Sequence, residues 1–403
     1  MIKKRIDTVT PGMIVGRTIY GDNYEILLKK GVKLTQSYID ILKKRGFLNL
    51  FIEDKNTEDI VIEDPISDKI RMMATKDILR VYETTRNSLV TIEAETGEGI
   101  IKCIHSKIKK NFLASHAFHQ LIKHIYHFLE EIMSHDLLSG LNSIKSVDNY
   151  TYEHSVDSAV ISLVLAKKLC LDDSKIKQLA IGEFLHDIGK IFVSEKILNK
   201  PDKLTAEEYD LIKQHPVFGY ELLRDNDNIG LISAHVPYQH HERQDGKGYP
   251  RGLKGTNKIN TNKLTYEEHG KLIMVAEIAT IADVYDACIS DRPFRPGIPP
   301  DLVYELIKKG AGKHFNRELV DVFLSITPKY PTGSEIRIKN GIYKGFTGYV
   351  MSVNEDTILR PKIKIMYDRN ENAIKPMEID LRYDNRIEIE CVGHCKDYNL
   401  WTD

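Results

Sequence analysis

Apolar positions along this chain change their spacing three times. From Met1 to about residue 60, the runs TIYGDNYEILLKKG and NLFIED alternate with period two, as half-buried strands do. SYIDILKKRG between them has a helical spacing, and Gly21, Gly31 and Gly46 punctuate the stretch. Residues 1–64 are therefore expected to form a small α+β domain, with the acidic segment Asp54 to Pro65 as its linker. From Ile66 onward apolar residues recur at three and four, as in IRMMATKDILRVYETT and FHQLIKHIYHFLEEIM. Residues 65–141 read as a helical connector, with Gly97 and Gly99 interrupting two helices. Residues 142–328 continue as helices around one long loop, Tyr238 to Gly270. After Pro328 period two returns in EIRIKNGIYKGFTGYVMSV, KIKIMYD and IEIECV, which predicts a small β domain over 329–403. The expected fold class is multidomain and mainly α: a central all-helical domain between a small α+β domain and a small β domain.

Composition narrows the function classes. A net charge of −1 across 403 residues gives no bulk attraction to duplex nucleic acid or to an anionic membrane, although a few local cations suffice for a small phosphate ligand. No stretch reaches the roughly 18 apolar residues that a membrane span needs, and the start, MIKKRIDTVTPG, is not an apolar leader. Cys103, Cys170, Cys288, Cys391 and Cys395 are dispersed and odd in number, which fits a reducing, cytoplasmic setting better than a disulfide framework.

The strongest chemical signal is His186-Asp187 in LAIGEFLHDIGK. An imidazole beside a carboxylate suits a borderline divalent metal, and a buried aspartate needs a partner or an ion. The apolar run before it places the pair near the end of a buried helix, with Lys190 on the same face. His154 lies on an upstream helix, His215 opens HPVFGYELL, His240 and His241 are adjacent in QHHERQDGKGYPRGL, and Asp283 lies in IATIADVYDA. Each histidine by itself is more often a core or surface residue than a ligand. Taken together, on apolar or glycine-rich segments, these residues are hard to explain as packing.

The order of these pieces resembles the HD-GYP group of the HD-domain phosphohydrolases: His154, HDIGK at 186–190, His215-Pro216, HHERQDGKGYPRGL at 240–253 and ADVYDACISDRPFR at 282–295. The resemblance covers about residues 145–326 and makes the central domain HD-type. It implies a phosphodiesterase that hydrolyses cyclic di-GMP to linear pGpG, with GMP as a further candidate product. It also implies two divalent metal ions, iron favoured, with manganese or zinc as alternatives. His154, His186, Asp187 and Asp283 match the ligands of one ion and His215, His240 and His241 those of the other, with Asp187 bridging. A bridged pair of ions about 4 Å apart can share an activated water. Lys190 matches the residue at the scissile phosphate and, with Asp187, is assigned to catalysis. Arg292 and Arg295 match phosphate-binding positions, where a guanidinium fork fits. Tyr249, in the loop of Gly246, Gly248 and Pro250, is a further substrate contact. Another cyclic dinucleotide such as cyclic GMP-AMP, or a non-catalytic receptor role, are the alternatives.

Three departures from the group pattern stand out. Tyr150 replaces a glutamate that helps to hold a third metal in some members, so two ions are expected, with Asp157 as an indirect support. Gln244 replaces the usual tryptophan after HHER. The segment from Thr256 to Gly270 is long enough to lie over the cleft, and Glu277 stands where a basic residue is common. His116, His119, His124 and His127 read as polar positions of a connecting helix, and Cys391, His394 and Cys395 lack the further ligands that a zinc knuckle needs. The ends of the chain resemble the small domain ahead of, and the β extension after, many HD-GYP domains. The helices of 66–141 suit signal transmission or a homodimer, and the sequence does not choose between them.

Overall fold

The computed structural model describes residues 1–21, 25–89, 97–138, 150–198, 200, 202–226, 229–260, 271–292 and 296–393. The N-terminal unit holds β1 (Ile2–Arg5), β2 (Ile14–Val15), β3 (Ile19–Tyr20), β4 (Ile26–Leu28), α1 (Gln36–Lys44) and β5 (Asn49–Glu53). β5 lies between β1 and β2, antiparallel to both, while β3 and β4 pair separately. Thr35 caps α1 through the Tyr38 amide, and Ile39 and Leu42 turn inward onto Val15, Leu34 and Leu50.

The helical body comprises α2 (Asp68–Asn87), α3 (Gly97–Cys103), α4 (Lys109–Ala114), α5 (His116–Ile132), α6 (Tyr150–Lys168), α7 (Asp173–Phe184), α8 (Glu195–Leu198), α9 (Ala206–Ile212), α10 (His215–Leu223), α11 (Leu231–Gln239), α12 (Met274–Ile289), α13 (Pro300–Gly310) and α14 (Arg317–Ile326). α6 lies at its centre, packed on α2, α7 and α12, and every side chain from His154 to Ala166 is buried. A helix buried on every face must satisfy its polar side chains internally, and His154, Asp157 and Ser162 are hydrogen-bonded to Asp286, Arg71 and Glu183. One hydrophobic core runs from Ile66 through α2 and α5 to Ile326, so the connector helices pack directly on those of residues 150–326. Gly97 opens α3 and Gly99 lies in its first turn, rather than breaking a helix midway. There the amides lack intrahelical partners in any case, and glycine costs little. On α5, His124 Nδ1 lies 2.5 Å from Asp77 of α2 and serves the α2–α5 packing, while His119 Nδ1 lies 2.8 Å from the carbonyl of Ser115, the N-cap of its own helix.

The C-terminal unit is a five-stranded antiparallel sheet of β6 (Glu335–Ile338), β7 (Thr347–Ser352), β8 (Lys362–Tyr367), β9 (Ala373–Asp380) and β10 (Ile389–Cys391), in the order β10-β6-β7-β8-β9. The chain is thus mainly α, with a small α+β unit before and a β unit after the helical body. The two small units meet: Ile2, Phe51, Ile60 and Ile62 pack with Tyr349, Met351 and Met366, and Lys364 bonds Asp59 at 2.8 Å. His394 and Cys395 lie outside the described residues. Among the described residues, no helix is long and apolar enough to cross a membrane.

Candidate metal centre

Five segments converge at the C-terminal end of α7. That helix stops at Phe184, and His186 and Asp187 sit in the tight turn that follows, before a 3₁₀ segment over Ile188–Phe192. Lys190 therefore relates to Asp187 by the three-residue spacing of a 3₁₀ turn, not along an α-helical face with His186; its Nζ donates to Asp187 Oδ2 at 2.6 Å. Two glycines make the turn possible. A Cβ on Gly182 would stand 2.5 Å from the Val236 side chain of α11, and one on Gly189 would stand 1.9 Å from the His215 carbonyl of α10. Both helices reach the site because these positions carry no side chain.

The structure brings His154, His186, Asp187, His215, His240, His241 and Asp283 together. His154, His186 and Asp187 form one group able to hold a metal and His215, His240 and His241 another; within each, the ligand atoms lie within 4.8 Å of one another. Asp187 faces both. Its Oδ2 is 3.5 Å from His186 Nε2, and its Oδ1 is 3.4 Å from His215 Nε2 and 3.9 Å from His240 Nε2. Asp283 also spans the groups, with Oδ1 at 3.0 Å from His154 Nε2 and Oδ2 at 3.9 Å from His241 Nδ1.

Backbone carbonyls set the tautomers. The Nδ1–H groups of His186, His215 and His240 donate to the carbonyls of Glu183 (2.8 Å), Ile212 (2.7 Å) and Pro237 (2.8 Å). In the neutral imidazole that leaves Nε2 as a lone pair directed into the centre. The Nε2 atoms of His215 and His240 face each other at 3.4 Å, while His186 Nε2 and Asp187 Oδ1 are buried without any hydrogen-bond partner. Converging lone pairs beside an unbonded carboxylate oxygen fit a divalent cation.

The proton affinities divide the set. Burial, helped by Lys190, pushes His215 down to about 3. Burial and His186 push His240 down to about 4, and burial with its histidine neighbours holds His241 well below the ordinary range. These three are neutral imidazoles at neutral pH. Burial also disfavours charge on His186, but Asp187 outweighs it and lifts the pKa to about 9; Asp283 and Asp286 likewise raise His154. Burial works against ionisation of Asp187 and Asp283 too, yet Lys190 and His186 for the first, and His154 for the second, keep both carboxylates well below their ordinary range.

Several further residues belong to the site. Asp286 accepts His154 Nδ1–H at 2.6 Å, three residues after Asp283 on α12; the repeat ADVYD carries this pair, but its second acid had no assigned task. Glu183, buried and bonded to Ser162, lies 3.8 Å from His186 Nδ1, and burial raises its pKa to about 7. Asp157 accepts a hydrogen bond from Arg71 of α2. The Gly-Tyr-Pro loop is braced from within HHER: Glu242 accepts the amides of Arg251 and Leu253, each at 2.8 Å. A Cβ on Gly248 would stand 2.4 Å from the His241 carbonyl, so the loop lies directly on the ligand segment. Tyr249 packs against His241, ring centroids 4.7 Å apart. Arg292 donates through Nε to Tyr150 Oη at 2.9 Å, and the Tyr150 ring stacks on that of His154. Arg295 lies outside the described residues, as do residues 261–270 of the long loop; residues 258 and 259 are tied to Asn316 and Glu318 at the start of α14.

Within this helical body, which gathers histidines and aspartates at the end of α7, residues 135–262 match the HD domain family model. With HDIGK, HHER and the Gly-Tyr-Pro loop all in place, the chain resembles the HD-GYP group. It is 31% identical over 242 residues to a cyclic di-GMP phosphodiesterase of Pseudomonas aeruginosa, covering 60% of this chain and 54% of the relative. It is also 31% identical over 160 residues to 3'3'-cGAMP-specific phosphodiesterase 3 of Vibrio cholerae, covering 40% of this chain and 32% of that protein. A solved HDG"Y"P protein of Bdellovibrio bacteriovorus aligns over 81% of this chain and 98% of its own, at 20% identity and a TM-score of 0.42. The chain spans about half the length, or less, of the curated relatives it matches.

Proposed function

We propose that this chain is a metal-dependent phosphodiesterase that hydrolyses cyclic di-GMP to linear pGpG, with GMP as a further product. The observation that carries the reading is Asp187 standing between two histidine groups whose free lone pairs converge on it. His154, His186, Asp187 and Asp283 would hold one divalent ion and His215, His240 and His241 a second. A histidine-rich set with carboxylates suits iron, with manganese or zinc as alternatives. Bound ions would supply an activated water and Lewis acidity at the phosphodiester.

The chain's own groups do the rest. The carbonyl bonds to Nδ1 hold His186, His215 and His240 in the ligating tautomer, and Asp286 does so for His154. Lys190 Nζ, bonded to Asp187 and partly exposed, has further N–H donors for an oxygen of the scissile phosphate. Arg292 offers its remaining guanidinium donors to a second phosphate, with Arg295 as its companion. Tyr249 closes the same side of the centre beside His241. The similarity to a cGAMP-specific relative supports a second reading, in which a mixed cyclic GMP-AMP dinucleotide is the substrate. The dispersed free thiols fit a cytoplasmic protein.

Two variants test the reading. His186→Ala and Asp187→Ala are expected to lower bound metal and to cut turnover by at least about a hundredfold. Metal analysis of anaerobically purified protein, with chromatography of products from cyclic di-GMP and cyclic GMP-AMP side by side, checks both. Full turnover by a metal-stripped His186 variant would sink the assignment, and preferential turnover of the mixed dinucleotide would favour the second reading.

A further inference from the structure

The segment that carries Arg292 is held from the N-terminal unit. Asp291, immediately before Arg292, accepts Asn49 Nδ2 at 2.6 Å and Lys3 Nζ at 3.4 Å on Oδ2, and the Gly297 amide at 2.9 Å on Oδ1. One carboxylate thus bonds the Gly297 amide and is pinned to strands β1 and β5. Asn49 is buried where β5 pairs with Arg5 of β1, so its amide has a fixed origin in the sheet. Beyond Asp291 the contacts continue inward. The Arg292 guanidinium lies 5.3 Å from the Tyr150 ring centroid, and that ring lies 6.0 Å from His154, the planes 7° apart.

An aspartate next to a phosphate-binding arginine is a hazard. Left free, its carboxylate competes with the substrate for the guanidinium, since carboxylate and phosphate suit the same fork. Here both carboxylate oxygens are occupied by the sheet and by the Gly297 amide. We propose that Asn49 is a positioning residue for substrate binding: by engaging Asp291 it keeps that carboxylate off Arg292 and fixes the turn from which Arg292 reaches a phosphate, so the N-terminal unit sets the affinity of the catalytic site for its nucleotide. The inference rests on Arg292 as a phosphate ligand, part of the function proposed above.

A swap of the two groups tests it. Asn49→Asp sets a second carboxylate against Asp291 and should raise the Kd and KM for cyclic di-GMP about tenfold, the scale of one charge-assisted hydrogen bond, with kcat and metal content within twofold of the parent. Asn49→Asp combined with Asp291→Asn restores a hydrogen bond of reversed polarity, and the amide oxygen at 291 still accepts from Gly297. This double variant should return Kd and KM to within about threefold of the parent. In an Arg292→Ala background, Asn49→Asp should have no further effect on Kd. Unchanged Kd in Asn49→Asp, a loss that the swap fails to reverse, or an equal loss in the Arg292→Ala background would each overturn the inference. If the parent binds cyclic di-GMP without cleaving it, the catalytic reading fails and the Kd values still decide this one. A parent that does neither overturns both.

Discussion

Gln244 and Glu277 each depart from the family pattern, and in the folded chain they meet. Gln244 Nε2 donates to Glu277 Oε1, Asn316 Nδ2 donates to Glu277 Oε2 at 3.1 Å, and Gln244 Oε1 accepts the Asn257 amide at 3.0 Å. Glu277 is 6% exposed and has two neutral amides for company, so burial raises its pKa from 4.5 to about 7. The folded state therefore holds this proton more tightly than the unfolded chain does. The resulting stability is fully present below about pH 4.5 and is lost as pH rises through about 7, a difference on the order of 3 kcal/mol. Glu277→Gln keeps both hydrogen-bonding edges and removes the ionisation. Its stability relative to the parent should rise from pH 5 to pH 8, as read by urea midpoints at the two values. An unchanged difference between the two pH values would show that Glu277 is not the proton-holding group. The sequence marked both residues as unusual but could not join them, because nothing in the 33 positions between them indicates contact.

At the scale of elements, the periodicities located the strands and helices well, and the histidines and aspartates that the motif order singled out come together in the structure. Local geometry was less legible. An apolar run ending in LHDIGK reads as a helix carried through the aspartate, whereas α7 stops at Phe184 and a 3₁₀ segment follows. Gly182 and Gly189 have packing roles that depend on where α11 and α10 lie, and spacing along one chain does not say where. A Cβ on Gly189 would also stand 2.8 Å from the Gly219 amide, so backbone on two successive turns of α10 blocks it. Gly189→Ala can be accommodated only by moving α10, and His215 moves with it. A displacement near 1 Å at a catalytic centre costs roughly a hundredfold in rate. The variant is expected to lose metal and turnover while far-UV circular dichroism keeps its helical signal. Parental metal content and rate would show that α10 yields without disturbing His215.

At the scale of the molecule, the long-range ion pairs were the part a single sequence could not supply. Asp157, one turn after His154, looks in sequence like a support for the metal ligands; in the fold it also bonds Arg71, 86 positions away. Arg71 also bonds Asp64 at 2.8 Å, and Arg17 of the N-terminal unit bonds Asp68 at 2.7 Å and Asp64 at 3.3 Å. Two guanidiniums and three carboxylates thus join the N-terminal unit to α2 and α2 to α6, the helix that carries His154. Burial disfavours charge on Arg71, but Asp157 and Asp64 more than compensate and raise its pKa. Replacing it with a hydrophobic residue of similar length removes the compensation and leaves the Asp157 carboxylate buried and 2% exposed. Breaking one side of such a pair costs about 3–5 kcal/mol, more than an apolar side chain recovers at the same place. Arg71→Met should therefore shift the unfolding midpoint in urea well below that of the parent. Arg71→Met with Asp157→Leu removes the stranded charge as well and should recover part of the loss. If the single variant were as stable as the parent, the network would be a bystander, and the N-terminal unit would be held on the helical body by its apolar contacts instead.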